Sequence, residues 1–499
     1  MQHNGVFIGI DHGGTTTTAL VYDLERGKLS SHSVPMPKRM PSAGIVEHDP
    51  EDFFESSLGA ARGALDSAKL KWTDVKGIGI ANQGETSMAW DTETGLGIGP
   101  ALSWEDRRTS ELCDQLAARG VDKLIRERTG IMLDPYFSAS KFQWLIENIP
   151  EVGMARDKGC LRLGGTDSYL ISRLTDGEVH ASEAGTASRT ALFNLHKLTW
   201  DCDLLDAFGL TQSQLPLIQP TCGDFGYTRH RDFNGVAVPI TANVVDAHGA
   251  LFAQGCLDNT KVKATLGTGA FIEVNTGKFP LKPDGKFPVF VGWALEDSVD
   301  YTIEGGVFSV GSGIDWLVRS GILSSADVSA EMALNASNHS GVSVVPCFTG
   351  LSAPYWQSGA RASISGLGLD TKPADIVRAL LDGIAFQCAE IIQALSQKTQ
   401  GTVSEVRADG GPTANDFLMQ RLADLLGMPV SVSLEPDMTA LGTAYLAAIG
   451  AGQLKSDDVL AMERNSRIFE PIMESDERDS LWASWNKSVH EVCERTKEL

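Results

Sequence analysis

The sequence predicts an α/β protein built from two related halves. Three observations carry that expectation: a length beyond one ordinary core, a strand–Gly/Thr turn–strand pattern that occurs twice, and strands alternating with helices after each occurrence. At 499 residues the chain calls for two domains of roughly 250 residues, or three smaller ones. Hydrophobic residues make up 42% and charged residues 21%, which is the balance of a folded chain and not of a disordered one.

The first hairpin is Val6-Phe7-Ile8-Gly9-Ile10, then Asp11-His12-Gly13-Gly14, then Ala19-Leu20-Val21-Tyr22. The second is residues 262–266, then Gly267-Thr268-Gly269, then Ala270-Phe271-Ile272-Glu273-Val274. They lie about half a chain apart, as expected of two related domains that face a shared cleft. After the first, residues 75–81 read as a strand and 138–147 as a helix. After the second, residues 373–397 read as a long helix with Ile376, Leu380, Ile384 and Ile391 on one face, and Val406-Arg407-Ala408 as a strand. A boundary near residues 250–258 gives an N-terminal domain of 1–252 and a C-terminal domain of 253–499.

Charge narrows the function. A formal charge of −22 repels phosphate backbones and anionic lipid, which argues against nucleic-acid and membrane partners. Any phosphate must then be held locally, by backbone N–H groups of Gly-rich turns, helix N-termini or a divalent cation. The eight cysteines show no Cys-x-x-Cys pair, and residues 1–10 lack a basic segment leading into an apolar run, so a reducing cytoplasm is expected. The small-apolar stretch 440–451 is too short to span a bilayer.

Four segments carry candidate chemistry. In Asp11-His12-Gly13-Gly14-Thr15-Thr16-Thr17-Thr18, glycines let backbone approach a ligand, hydroxyls and amides suit phosphate, and a carboxylate at a strand end can hold Mg²⁺ through water. The turn around Thr268 offers the same phosphate chemistry from the other half. In Asp409-Gly410-Gly411-Pro412-Thr413-Ala414-Asn415, bare backbone precedes a helix where a planar base or phosphate can lie, and Asn415 can bond a purine edge. In Asn243-Val244-Val245-Asp246-Ala247-His248, a carboxylate ends an apolar strand, either as an acceptor of a hydroxyl proton or as a helix cap.

Longer segments resemble a known family. Residues 136–148 fit the first signature of the FGGY carbohydrate kinases, and 362–382 the second with minor departure. Val46-Glu47-His48-Asp49-Pro50, Trp104-Glu105-Asp106-Arg107-Arg108, Ala187-Ser188-Arg189-Thr190 and residues 348–356 are similar to those members of the family that act on glycerol. The resemblance runs from residue 8 to about 452. It implies two RNase-H-like domains of the actin-like ATPase fold, facing a nucleotide cleft, with ATP and Mg²⁺ as cofactors and a small polyol or sugar as acceptor. It further implies that Asp11 lies near the metal, and that Gly13, Gly14, Thr15, Thr16, Thr268, Gly311, Gly411 and Asn415 line the nucleotide. Asp246 would be the catalytic base, with Glu85, Trp104, Tyr136 and Phe271 around the polyol, and a homodimer or homotetramer is a candidate assembly.

The chain departs from that pattern at two places. Where the glycerol-specific members carry Asn-Gln-Arg-Glu-Thr, this chain has Asn82-Gln83-Gly84-Glu85-Thr86. Gly84 removes a charged donor and is expected to leave space, which makes a longer acceptor such as erythritol, threitol, xylitol, xylulose or ribulose an alternative. His12, Gly14 and Thr18 stand where the phosphate loop usually has Gln, Thr and Arg. A nucleotide-dependent sensor that binds a polyol without phosphorylating it, and an actin-type conformational ATPase, are the non-kinase alternatives.

Overall fold

The computed structural model describes residues 5–295, 298–337, 341–401 and 403–497. It divides into two compact units: one of residues 1–255, 277–302 and 437–462, the other of 256–276, 303–436 and 463–499. Two segments beyond residue 252, namely 277–302 and 437–462, thus cluster with the first unit.

The sheet of the first unit has five strands, in the order Ile240–Val245, Val75–Asn82, Val6–His12, Thr16–Asp23, Gly27–Pro35. The last three form an antiparallel meander, and the other two run parallel to Val6–His12. A second sheet has seven strands, in the order Val289–Leu295, Ser298–Val307, Ala270–Gly277, Lys261–Leu266, Glu405–Asp409, Val430–Ser433, Ser466–Phe469. Lys261–Leu266 is antiparallel to Ala270–Gly277 and parallel to Glu405–Asp409, which is parallel to Val430–Ser433. Both sheets therefore share a four-strand core, with the antiparallel hairpin partner on one side of the opening strand and two parallel strands on the other. That is the repeat expected from the two Gly/Thr turns.

Buried parallel strands need helices on their faces. The helix Pro50–Ala68 has Asp49 as N-cap and buries Phe53, Phe54, Leu58, Ala61 and Leu65. On the first unit's sheet also lies Met438–Gly450, a helix of small residues. Gly9 permits its close approach, because a Cβ there would stand 1.9 Å from the carbonyl oxygen of Ala440. In the second unit the long helix is Pro373–Lys398. Among the described residues it is the one helix long and apolar enough to cross a membrane, and 72% of its most apolar stretch is buried inside the structure.

Candidate active site

The first phosphate turn joins Val6–His12 to Thr16–Asp23. Thr15 is exposed, and Gly13, Gly14 and Thr16 are half-buried, so backbone and hydroxyls remain accessible. The Gln83 side chain donates to the Gly13 carbonyl at 3.1 Å, tying this turn to the segment that carries Glu85. His12 turns away from the turn. Its Nε2 meets Ser57 Oγ, its ring lies 5.7 Å from that of Phe53, and burial holds its pKa at about 3.

Asp11 sits at the same strand end, half-buried, and its carboxyl is pushed well above the usual range by desolvation and by the charges of Asp246 and Asp437. Asp246 begins the helix Asp246–Ala253, just after the parallel strand Ile240–Val245. It is the first helical residue, and Val245 is the N-cap. Asp437 precedes Met438–Gly450 and pairs with Lys28 Nζ at 2.9 Å. The close seating of that helix thus brings a third carboxylate, which sequence reading missed, to the first two. Such a set suits a hard cation bound largely by other oxygens, since no group of three ligating side chains close enough to cage a metal is found among the described residues.

Beside these lies a buried polar patch. Glu85 and Arg189 form an ion pair at 2.9 Å, each side chain only 3% exposed. Burial pushes the Glu85 carboxyl up, opposed first by the charge of Arg189. Arg189 Nη2 also lies 3.3 Å from His248 Nε2, which Thr302 Oγ1 approaches at the same distance. Lys141, fully buried, donates to the carbonyls of Glu85 and Tyr136 at 3.1 and 2.6 Å, and burial lowers its pKa to about 8. Half-buried Trp104 and Tyr136 meet edge to face at 5.9 Å between ring centroids, offering aromatic surface to a carbon skeleton. The structure thus gathers Asp11, Gly13, Gly14, Thr15, Thr16, Glu85, Trp104, Tyr136 and Asp246 in the first unit.

The expectation that Gly84 leaves space needs correction. Its φ is +66°, and a Cβ on it would lie 2.8 Å from Arg189 Cδ. The volume beside it holds the Arg189 side chain. The cavity that Gly84 helps line, with Ser138, Ser182, Thr186 and Thr190, is about 10 Å³, room for one water.

Phe271 and four nucleotide candidates belong to the second unit. Phe271 stands opposite Thr265 in the ladder. Gly311 N–H donates to the Gly267 carbonyl at 2.9 Å and Ser312 N–H to that of Thr268 at 3.1 Å, so Thr268 and Gly311 adjoin. Gly410, at φ +96°, lies so close to Leu266 that a Cβ would meet its carbonyl oxygen at 1.9 Å, and this brings exposed Gly411 to the same strand end. Asn415 has a structural role that the sequence reading did not include. It is the N-cap of Asp416–Leu426, its Oδ1 accepts from Leu418 N–H at 2.9 Å and its Nδ2 donates to Ser329 Oγ at 2.9 Å, so its amide already serves the helix.

Two sheets with a common four-strand core, each with a Gly/Thr turn after its opening strand, and acceptor-type carboxylates beside one of the turns define the class: a two-domain phosphotransferase of the actin-like fold. Family models agree. Residues 6–253 match the N-terminal domain and 262–451 the C-terminal domain of the FGGY family of carbohydrate kinases. The chain belongs to that family, and so is a carbohydrate kinase. It is 37% identical over 485 residues to glycerol kinase 2 of Thermotoga maritima, covering 97% of each chain. It is also 37% identical to glycerol kinase of Enterococcus casseliflavus, covering 98% of this chain and 97% of that one. Among solved structures, Plasmodium falciparum glycerol kinase with ADP superposes with a TM-score of 0.91 at 31% identity, with 98% of each chain covered. Xylulose kinase of Lactobacillus acidophilus, at 20% identity, a TM-score of 0.86 and 97% of each chain covered, shares the fold. With relatives of this kind and Arg189 filling the room beside Gly84, the longer-acceptor alternative is not favoured.

Proposed function

We propose that the protein transfers the γ-phosphoryl group of ATP to a hydroxyl of glycerol or a similar short polyol. The observation that carries this reading is the meeting, in one unit, of Asp11 and Asp246 at the ends of the two strands that flank Val75–Asn82, with the buried Glu85 just beyond that middle strand. Asp246 orients the acceptor hydroxyl and takes its proton as the phosphoryl group leaves. Glu85 accepts hydrogen bonds from the polyol, and Trp104, Tyr136 and Phe271 cover its carbon chain.

Gly13, Gly14, Thr15 and Thr16 donate to the phosphates from the first turn, and Thr268, Gly311 and Gly411 line the nucleotide from the second unit. Asn415 supports that wall as a helix cap. In this reading residues 1–252 carry the acceptor site and first phosphate turn, and 253–499 the adenine and second phosphate turn. Asp11 faces Mg²⁺, which when bound with ATP neutralises charge on the transferring phosphate. The raised Asp11 carboxyl supports this assignment, because neighbouring carboxylates that resist ionising together gain most from a cation between them.

An ATP-consumption screen against glycerol, erythritol, threitol, xylitol, ribitol, xylulose and ribulose tests the reading. Turnover with glycerol is the expected result. Binding of ATP with no phosphorylation of any of these acceptors would leave the sensor alternative standing and this one refuted.

A further inference from the structure

We propose that Arg189, seated against Gly84 and paired to Glu85, determines acceptor specificity by acting through the Glu85 carboxylate. This rests on the acceptor site proposed above. Two charges that are each 3% exposed are costly to bury, and their mutual attraction must offset that cost. The pair stands beside the candidate base: Val245, immediately before Asp246, lies 3.6 Å from where a Gly84 Cβ would be.

The guanidinium is held from three directions. Nη1 binds Glu85, Nη2 reaches His248, and the group stacks 4.0 Å from the ring centroid of Phe290. A planar cation so fixed presents Glu85 in one orientation. An ionised carboxyl accepts only, so it selects hydroxyl donors placed to match its lone pairs. Burial works against the ionised form of Glu85, and the charge of Arg189 is the largest influence opposing it. Lys141 adds a smaller effect of the same sign, its ammonium being donated to the carbonyls of Glu85 and Tyr136 and not to the carboxylate.

Gly84 is the other half of the device. A Cβ at 2.8 Å from Arg189 Cδ requires the arginine side chain to shift, and φ of +66° is a conformation that residues with a side chain rarely adopt. Arg189 is therefore a positioning residue whose place depends on the absence of a side chain at 84.

The test is steady-state kinetics with glycerol varied at saturating MgATP, for wild type, R189M, R189K, E85Q, R189M/E85Q, G84A and G84A/R189M. R189M is expected to raise the glycerol KM by about 10- to 100-fold, with the ATP KM held within about twofold. R189K should recover part of the loss. On the E85Q background, Arg189→Met should add less than about threefold, because the carboxylate it serves is gone. G84A should raise the glycerol KM in the same direction and add little to R189M. If R189M does not fold, R189K and G84A carry the same comparison. A glycerol KM unchanged in these variants, or Arg189 and Glu85 effects that simply multiply, overturns the inference while leaving the kinase reading intact. A wild-type protein that phosphorylates no polyol overturns both.

Discussion

Removing either member of the Glu85–Arg189 pair leaves the other charged and out of water. E85Q is accordingly expected to lose about 3–5 kcal/mol of stability in urea unfolding, and a loss below 1 kcal/mol would mean that Arg189 finds another anion. Asn415 makes a contrasting case. As an N-cap it should cost about 1 kcal/mol on change to Ala, with the ATP KM moving little, whereas a large ATP effect without a stability loss would restore the purine contact expected from sequence. The placement of Asp11 and Asp246 at strand ends was legible because a carboxylate closing an apolar strand is a local pattern. Arg189 and Asp437 were not, since their significance lies in partners 104 positions away in one case and in how a helix seats on a sheet in the other.

That seating belongs to the scale of elements. Met438–Gly450 meets the sheet at Gly9, and at Gly79 a Cβ would stand 2.4 Å from the Thr443 carbonyl oxygen. G9A should therefore push the helix outward, cost about 1–3 kcal/mol and draw Asp437 away from Asp11. Differential scanning fluorimetry with and without MgATP checks it, and an unaltered melting temperature would show that the helix is seated elsewhere. Periodicity disclosed the two hairpins and the helix Pro373–Lys398, because strand alternation and a one-sided apolar stripe are written locally. The return of 277–302 and 437–462 to the first unit was not disclosed, since small-residue packing leaves no periodic mark.

Across the whole molecule, buried carboxyls set how stability follows pH. Glu183, which accepts from Gly185 N–H at 2.6 Å, and Glu390, which accepts from Tyr355 Oη at 2.5 Å, are both pushed up from 4.5 to about 7 by burial. Between those values the folded chain keeps protons that the unfolded chain has released. Each group's contribution is thus present below about pH 4.5 and lost as pH rises through about 7. The unliganded protein should melt at progressively lower temperature across that interval, less steeply in E390Q. Equal slopes for E390Q and wild type would exclude Glu390 as a source. The repeated four-strand core was readable at this scale from two Gly/Thr turns half a chain apart, and the family resemblance followed from ordered motifs along most of the length.

Asp246 bears the most weight, and D246N tests it directly by pairing turnover on glycerol with calorimetric ATP affinity. Loss of turnover by about 100- to 10,000-fold with ATP affinity within about twofold of wild type is the expected result. Turnover that survives the substitution would contradict the assignment of Asp246 as the base.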